Sequence, residues 1–201
     1  MRNLIFTALA GALLAACGPQ ASAPGETSAV PPPAPKPAVV GPILITFSER
    51  GAGEINGETA MDVRRLGGLF PESTVRRAPP RDGDTTPTIT VRRADGLELD
   101  LRSAADAPTV SRILGRAGPV TGPQGEELGA SWSQMGFLTE TCARGAGDMA
   151  GALICYRQGA PRLGYVFGLP GFTGPANAVP DEDFLDENAR LNAFMWSAQA
   201  G

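Results

Sequence analysis

Between Thr88 and Arg102 the chain repeats one pattern on either side of Asp95-Gly96. Thr88 to Arg93 and Leu97 to Arg102 both alternate apolar and polar residues. A period of two places the apolar side chains on one face of an extended strand. Asp-Gly is the strongest short signal for a tight hairpin turn. An isolated hairpin is marginal in water, so the remaining chain must extend the sheet and cover its apolar face.

Other segments carry the same period. Ile43, Ile45 and Phe47 alternate with Leu44, Thr46 and Ser48, and further strands are expected at Thr109 to Leu114, Ala152 to Tyr156 and Leu163 to Phe167. The last two are joined through Gln158-Gly159-Ala160-Pro161, which is turn chemistry. Leu191, Ala193 and Met195 alternate with Asn192, Phe194 and Trp196 and predict a closing strand, with helix as the competing reading. Gly and Pro supply 26 and 19 of the 201 residues, which disfavours long helices. Two short helices are expected. One covers Thr59 to Leu69, with Thr59 and Asp62 at capping-box spacing; the other covers Ala130 to Leu138. The Asp- and Glu-rich segment after Pro180 reads as a further helical turn. The fold class is therefore mainly β: a two-layer, sandwich-like single domain over residues 42–201, with two or three short helices.

Ahead of that domain the chain changes character. Residues 1–16 carry Arg2 and an apolar run from Leu4 to Leu14, too short to span a bilayer and fitted to a signal peptide. Leu14-Ala15-Ala16-Cys17 resembles the lipobox of bacterial lipoproteins, in which cleavage precedes the cysteine and its thiol carries diacylglycerol. The duller alternative is a secretory signal with an incidental cysteine. Acylation at Cys17 would anchor the protein on a bilayer without spanning it, since two acyl chains suffice for stable attachment. Gly18, in place of the aspartate that retains such proteins at the inner membrane, favours the periplasmic face of the outer membrane. Residues 17–41 are mostly Pro, Ala, Gly, Ser and Val, with Pro31 to Pro33 at the centre. Such a composition cannot bury a core and predicts a disordered or polyproline-II linker, with a reach on the order of 70 Å at about 3.1 Å per residue. A protein-binding PxxP ligand is the rival use of that segment.

With Cys17 assigned to lipid, Cys142 and Cys155 remain, and an oxidising compartment makes a disulfide between them the default. Their separation does not suit a redox CxxC motif, so the bridge reads as structural.

Histidine is absent, which removes Ser-His-Asp and Cys-His catalysis and histidine metal sites together. The other candidates each have a plain alternative. Gly51 to Gly57 follows GxGxxxG rather than the nucleotide-binding spacing, and Glu54 has the wrong sign for phosphate, so a turn explains it better. Asp181, Glu182, Asp183, Asp186 and Glu187 crowd one segment, yet lack the offsets of an EF-hand; a helix start accounts for them better than a calcium site. Asp82 and Asp84 flank Gly83 as a loop tip. Glu126 and Glu127 could serve glycoside hydrolysis only if two acids faced each other across a cleft, and they read instead as solvated loop charges. Ser131 and Ser133 have no histidine, and Lys36, the lone lysine, falls in the linker. No metal or cofactor is implied.

After removal of Arg2 the chain holds 16 basic and 21 acidic side chains, a net charge of −5. Residues 64–116 carry ten arginines against seven acids, and residues 117–201 four against nine. Neither half has the basic footprint that nucleic acid requires.

From Ser48 to Trp196 the order of features is similar to that of the sigma-E-regulated family of bacterial envelope lipoproteins, whose domain is of unknown function. The likeness rests on Ser48-Glu49-Arg50-Gly51-Ala52-Gly53-Glu54, on the Gly125 to Leu138 stretch leading to Cys142, and on Cys155, Tyr165-Val166-Phe167, Pro180-Asp181 and Trp196. It implies a mainly-β domain, a Cys142–Cys155 bridge and residence in the outer-membrane envelope, and it supplies no catalytic residue. The long leash and the Ala78 to Thr86 loop depart from the pattern.

The expected function is that of a non-enzymatic, membrane-anchored envelope lipoprotein, with a link to envelope stress that the resemblance implies. Its expected partners are the bilayer, through acylated Cys17, and an envelope protein, lipid or cell-wall component. The alternative is an envelope hydrolase using carboxylate or serine chemistry.

Overall fold

The computed structural model describes residues 43–79, 86–104 and 107–199. The signal peptide, Cys17, the linker, Asp82 and Asp84 lie outside the described residues. Two sheets and three short helices build the domain, so the mainly-β, single-domain expectation holds.

The expected hairpin is its centre. Strands β4 (Thr88–Arg93) and β5 (Glu98–Ser103) pair antiparallel around Asp95-Gly96, with Ile89 opposite Leu101 and Val91 opposite Leu99. Asp95 closes the turn by accepting from the Leu97 N–H at 3.2 Å, and Gly96 takes the positive φ of 90° that the turn needs. β3 (Ser73–Arg77) joins beside β4, and β6 (Val110–Ala117) beside β5. The second half of the sheet comes from the carboxyl-terminal part of the chain: β8 (Cys142–Arg144), β9 (Leu153–Arg157), β10 (Ala160–Gly168) and β11 (Arg190–Ser197). The two runs of hairpins meet where β11 pairs with β6, giving the order β3-β4-β5-β6-β11-β10-β9-β8, every pair antiparallel. Helix, the competing reading for Leu191 to Trp196, is not what forms.

The smaller sheet sets β1 (Ile45–Ser48) between β2 (Gly51–Ala52) and β7 (Val120–Thr121). Phe47 points from β1 into the larger sheet and stacks on Phe194 of β11 at 5.6 Å between ring centroids. Gly115 of β6 makes room for it: a Cβ there would stand 2.7 Å from the Phe47 ring. Leu99, Leu101, Ile113, Phe167, Phe194 and Trp196 complete this buried face. A second, smaller apolar cluster of Leu114, Val166, Ala193 and Met195 gathers with Met149. The layers are therefore unequal, with a broad sheet covered by a small sheet and short helices.

The helices refine the sequence expectations. α1 is Val63–Leu69, and Asp62, not Thr59, caps it by accepting from the Arg65 N–H at 2.8 Å. Thr59 instead bridges toward β6: its carbonyl accepts from the Val110 N–H, and its hydroxyl oxygen accepts from the Asn56 N–H. That pairing keeps Thr59 outside the helix, so the Thr-x-x-Asp spacing is no capping box. α2 is only Trp132–Met135, because Gly136 takes a left-handed conformation at φ 61° and ends it. α3 is Glu182–Asn188, started by Asp181 after Pro180 as expected. The Gly51 to Gly57 stretch is β2 followed by a turn, with the Ala52 and Ile55 backbones bonded to each other.

Candidate functional site

Glu126 corrects the expectation that it is a solvated loop charge. It follows β7 in a loop closed by the Gly122 N–H on its own carbonyl at 2.9 Å, and its side chain is only 8% exposed. Three elements converge on that carboxylate. The Tyr165 hydroxyl, from β10, donates to Oε1 at 3.0 Å. Arg157, at the end of β9, donates from Nη2 to the same oxygen at 3.3 Å. The Gln124 N–H donates to Oε2 at 2.8 Å. Arg157 also donates to the Met135 carbonyl at 3.2 Å, so the end of α2 is tied into the cluster.

Aromatic rings enclose the cation. The Arg157 guanidinium lies 4.8 Å from the Phe137 centroid and 5.3 Å from that of Tyr165, within the range of cation–π attraction. Phe137 itself packs on Tyr165 and Phe167. Burial works to raise the Glu126 pKa, but backbone N–H groups, the Tyr165 hydroxyl and the Arg157 charge together outweigh it and hold the carboxyl below its ordinary value. Burial, with the neighbouring carboxylate, pushes the Tyr165 phenol up to about 12 against the pull of Arg157. At neutral pH the cluster is thus an ionised carboxylate, a charged guanidinium and a neutral phenol.

Arg157 and Phe137 also line a groove of about 520 Å³, together with Gly136, Leu138, Thr141, Tyr156 and Gln158. Leu138 on its lip is 62% exposed. The Cys142–Cys155 disulfide fixes both walls. The two cysteines face each other across β8 and β9, next to Thr141 on one side and Tyr156 on the other.

The remaining candidates are not brought to the groove. Glu127 is exposed, its backbone bridged to Thr121. Ser131 caps α2 in a full capping box with Gln134, and Ser133 is its exposed neighbour at 3.1 Å. Asp181 caps α3 through the Phe184 N–H, while Glu182, Asp183, Asp186 and Glu187 stand exposed. Among the described residues no group of three or more His, Cys, Asp or Glu is placed to hold a metal ion, and no helix is long and apolar enough to cross a membrane. Arg157 and Tyr165 were missed as site residues in the sequence, since they reach Glu126 from 31 and 39 positions away.

The model of a family described as "Protein of unknown function (DUF1131)" matches residues 41–198. The chain belongs to that family. In this DUF1131 protein the match takes in both sheets, the disulfide and the Glu126 cluster. Among solved structures it is similar to the crystal structure of the uncharacterized protein yfeY from Escherichia coli, with a TM-score of 0.60 and 20% identity over 76% of this chain and 99% of that one. At that identity the likeness speaks for the fold. No curated protein matches the sequence.

Proposed function

We propose that this DUF1131 protein is a lipid-anchored envelope lipoprotein that binds a partner rather than transforming one, held by acylated Cys17 at the periplasmic face of the outer membrane. The sigma-E resemblance adds a link to envelope stress. One observation carries the preference for binding. Glu126, the most deeply placed acid among the candidates, has its carboxylate oxygens taken by Tyr165, Arg157 and the Gln124 N–H. A general acid for glycoside cleavage needs a raised pKa and a second acid across the cleft, whereas Glu126 is shifted down and Glu127 is exposed away from it. The cluster does what buried ion pairs do well, which is to fix one packing arrangement, here the floor beneath a groove. A leash on the order of 70 Å lets such a surface search for its partner while the anchor stays put.

Crosslinking in intact cells tests this proposal. The full protein should capture an envelope component that a control carrying only residues 1–41 does not. Capture no greater than the control's would remove the support for a binding role.

A further inference from the structure

We propose that the groove over Arg157 takes a single-chain amphiphile with an anionic head, a fatty-acid-like carboxylate. The inference rests on the binding reading and names the ligand chemistry for it. The walls Phe137, Leu138 and Tyr156 are apolar over most of their area, and a volume of about 520 Å³ falls within the range of small-molecule sites. Leu138 projects to 62% exposure on the lip, where a ligand chain would cover it. Arg157 gives the groove its polar end. Its Nη2 is occupied by Glu126 and the Met135 carbonyl, and its Nε is buried without an acceptor. Among the described residues Nη1 makes no hydrogen bond, and the side chain keeps 28% exposure where it lines the groove. Among the described residues no carboxylate lines the groove, and Glu126, 8% exposed, is bonded to Tyr165 and Gln124.

A guanidinium with its Nη1 donor free prefers a carboxylate over an alcohol of the same chain, and offers nothing to an ammonium. Thr141, whose hydroxyl donates to the Leu138 carbonyl at 2.7 Å, and Tyr156 also line the groove. The disulfide beside them holds the walls at a fixed spacing, so the site is ready before the ligand arrives.

The test is a fluorescence titration of dansyl-undecanoate into the purified chain carrying Cys17→Ser, a change that keeps acyl lipid out of the assay. Decanoate should displace the probe at about a tenth of the concentration that decanol needs, and decyltrimethylammonium should not displace it. Leu138→Asp, at an exposed position, should weaken probe binding about tenfold while leaving the near-ultraviolet circular dichroism unchanged. Arg157→Lys keeps the charge but removes the Nη1 donor, and should narrow the gap between decanoate and decanol. Equal displacement by all three competitors, or a Leu138→Asp form that binds the probe as tightly as the parent, would overturn the proposal. Either result leaves the partner search in cells standing, because that search reads out a different event.

Discussion

The indole N–H of Trp196 donates to the backbone carbonyl of Glu49 at 2.9 Å, across 147 positions of chain. The Glu49 side chain reaches the other way, accepting from the Arg162 and Leu163 N–H groups at 2.8 and 3.2 Å where β10 begins. One residue after the first strand therefore clasps the last strand and its neighbour. Replacing Glu49 with Ala should cost about 1–2 kcal/mol, since two backbone donors lose a charged acceptor at the same time. Glu54→Ala, at an exposed acid nearby, should change stability by less than about 0.5 kcal/mol. Urea unfolding of the two variants beside the parent checks the contrast.

At Gly115 the expected effect is overpacking. A methyl group there would meet the Phe47 ring at 2.7 and 2.8 Å. Gly115→Ala should therefore destabilise by about 1–3 kcal/mol, although alanine favours a strand no less than glycine does. Thermal unfolding of Gly115→Ala, with Gly125→Ala as a loop comparison, separates crowding from backbone effects. Gly125 has open space at its Cβ position but a φ of 85°, so its cost comes from conformation alone.

Breaking the disulfide should lower stability by about 2–5 kcal/mol, and Cys142→Ser with Cys155→Ser removes it without leaving a lone thiol. Thiol counting on the unfolded, non-reduced protein should find neither Cys142 nor Cys155 free. Two reactive thiols from this pair would contradict the bridge.

The Glu126 cluster has a pH signature at both ends. The Glu126 pKa is lower in the folded state than in the unfolded chain, so its contribution is complete above about 4.5 and is lost as pH falls through the depressed folded value. Tyr165 runs the opposite way. Its folded pKa of about 12 lies above the ordinary 10, so its contribution is complete below 10 and is lost as pH rises between the two values. Tyr165→Phe removes one hydrogen bond to a charged oxygen and should cost about 2 kcal/mol. It should also move the acid unfolding midpoint upward. The chain has only two tyrosines, and Tyr156 is also raised by burial, so the tyrosinate absorbance that Tyr165→Phe removes reports on Tyr165. The step near pH 12 should disappear in Tyr165→Phe.

Local chemistry made much of the fold legible. The β4–β5 hairpin, the strands near Ile154 and Val166, and α3 after Pro180 all announce themselves within ten residues or so, by alternation, turn residues or a cap. β3 did not, because Val75 is the one apolar residue in Ser73–Arg77 and an edge strand has little need of more. β8 is three residues long and is defined by its partner β9 rather than by its own pattern. The N-cap went to Asp62 because Thr59 was drawn into pairing with β6, a tertiary contact that no window around Thr59 contains. The groove was illegible for the same reason. Glu126 looked like its neighbour Glu127 until Arg157 and Tyr165 were brought to it by the register of β9 on β10.

Anchoring at Cys17 is the claim on which the proposed location and tethered search both depend. Growth with a radioactive fatty acid, followed by membrane fractionation, tests it most directly. The parent chain should carry label and sediment with membranes, and Cys17→Ser should lose both the label and the membrane retention. A Cys17→Ser chain that is still labelled and still retained would contradict the account.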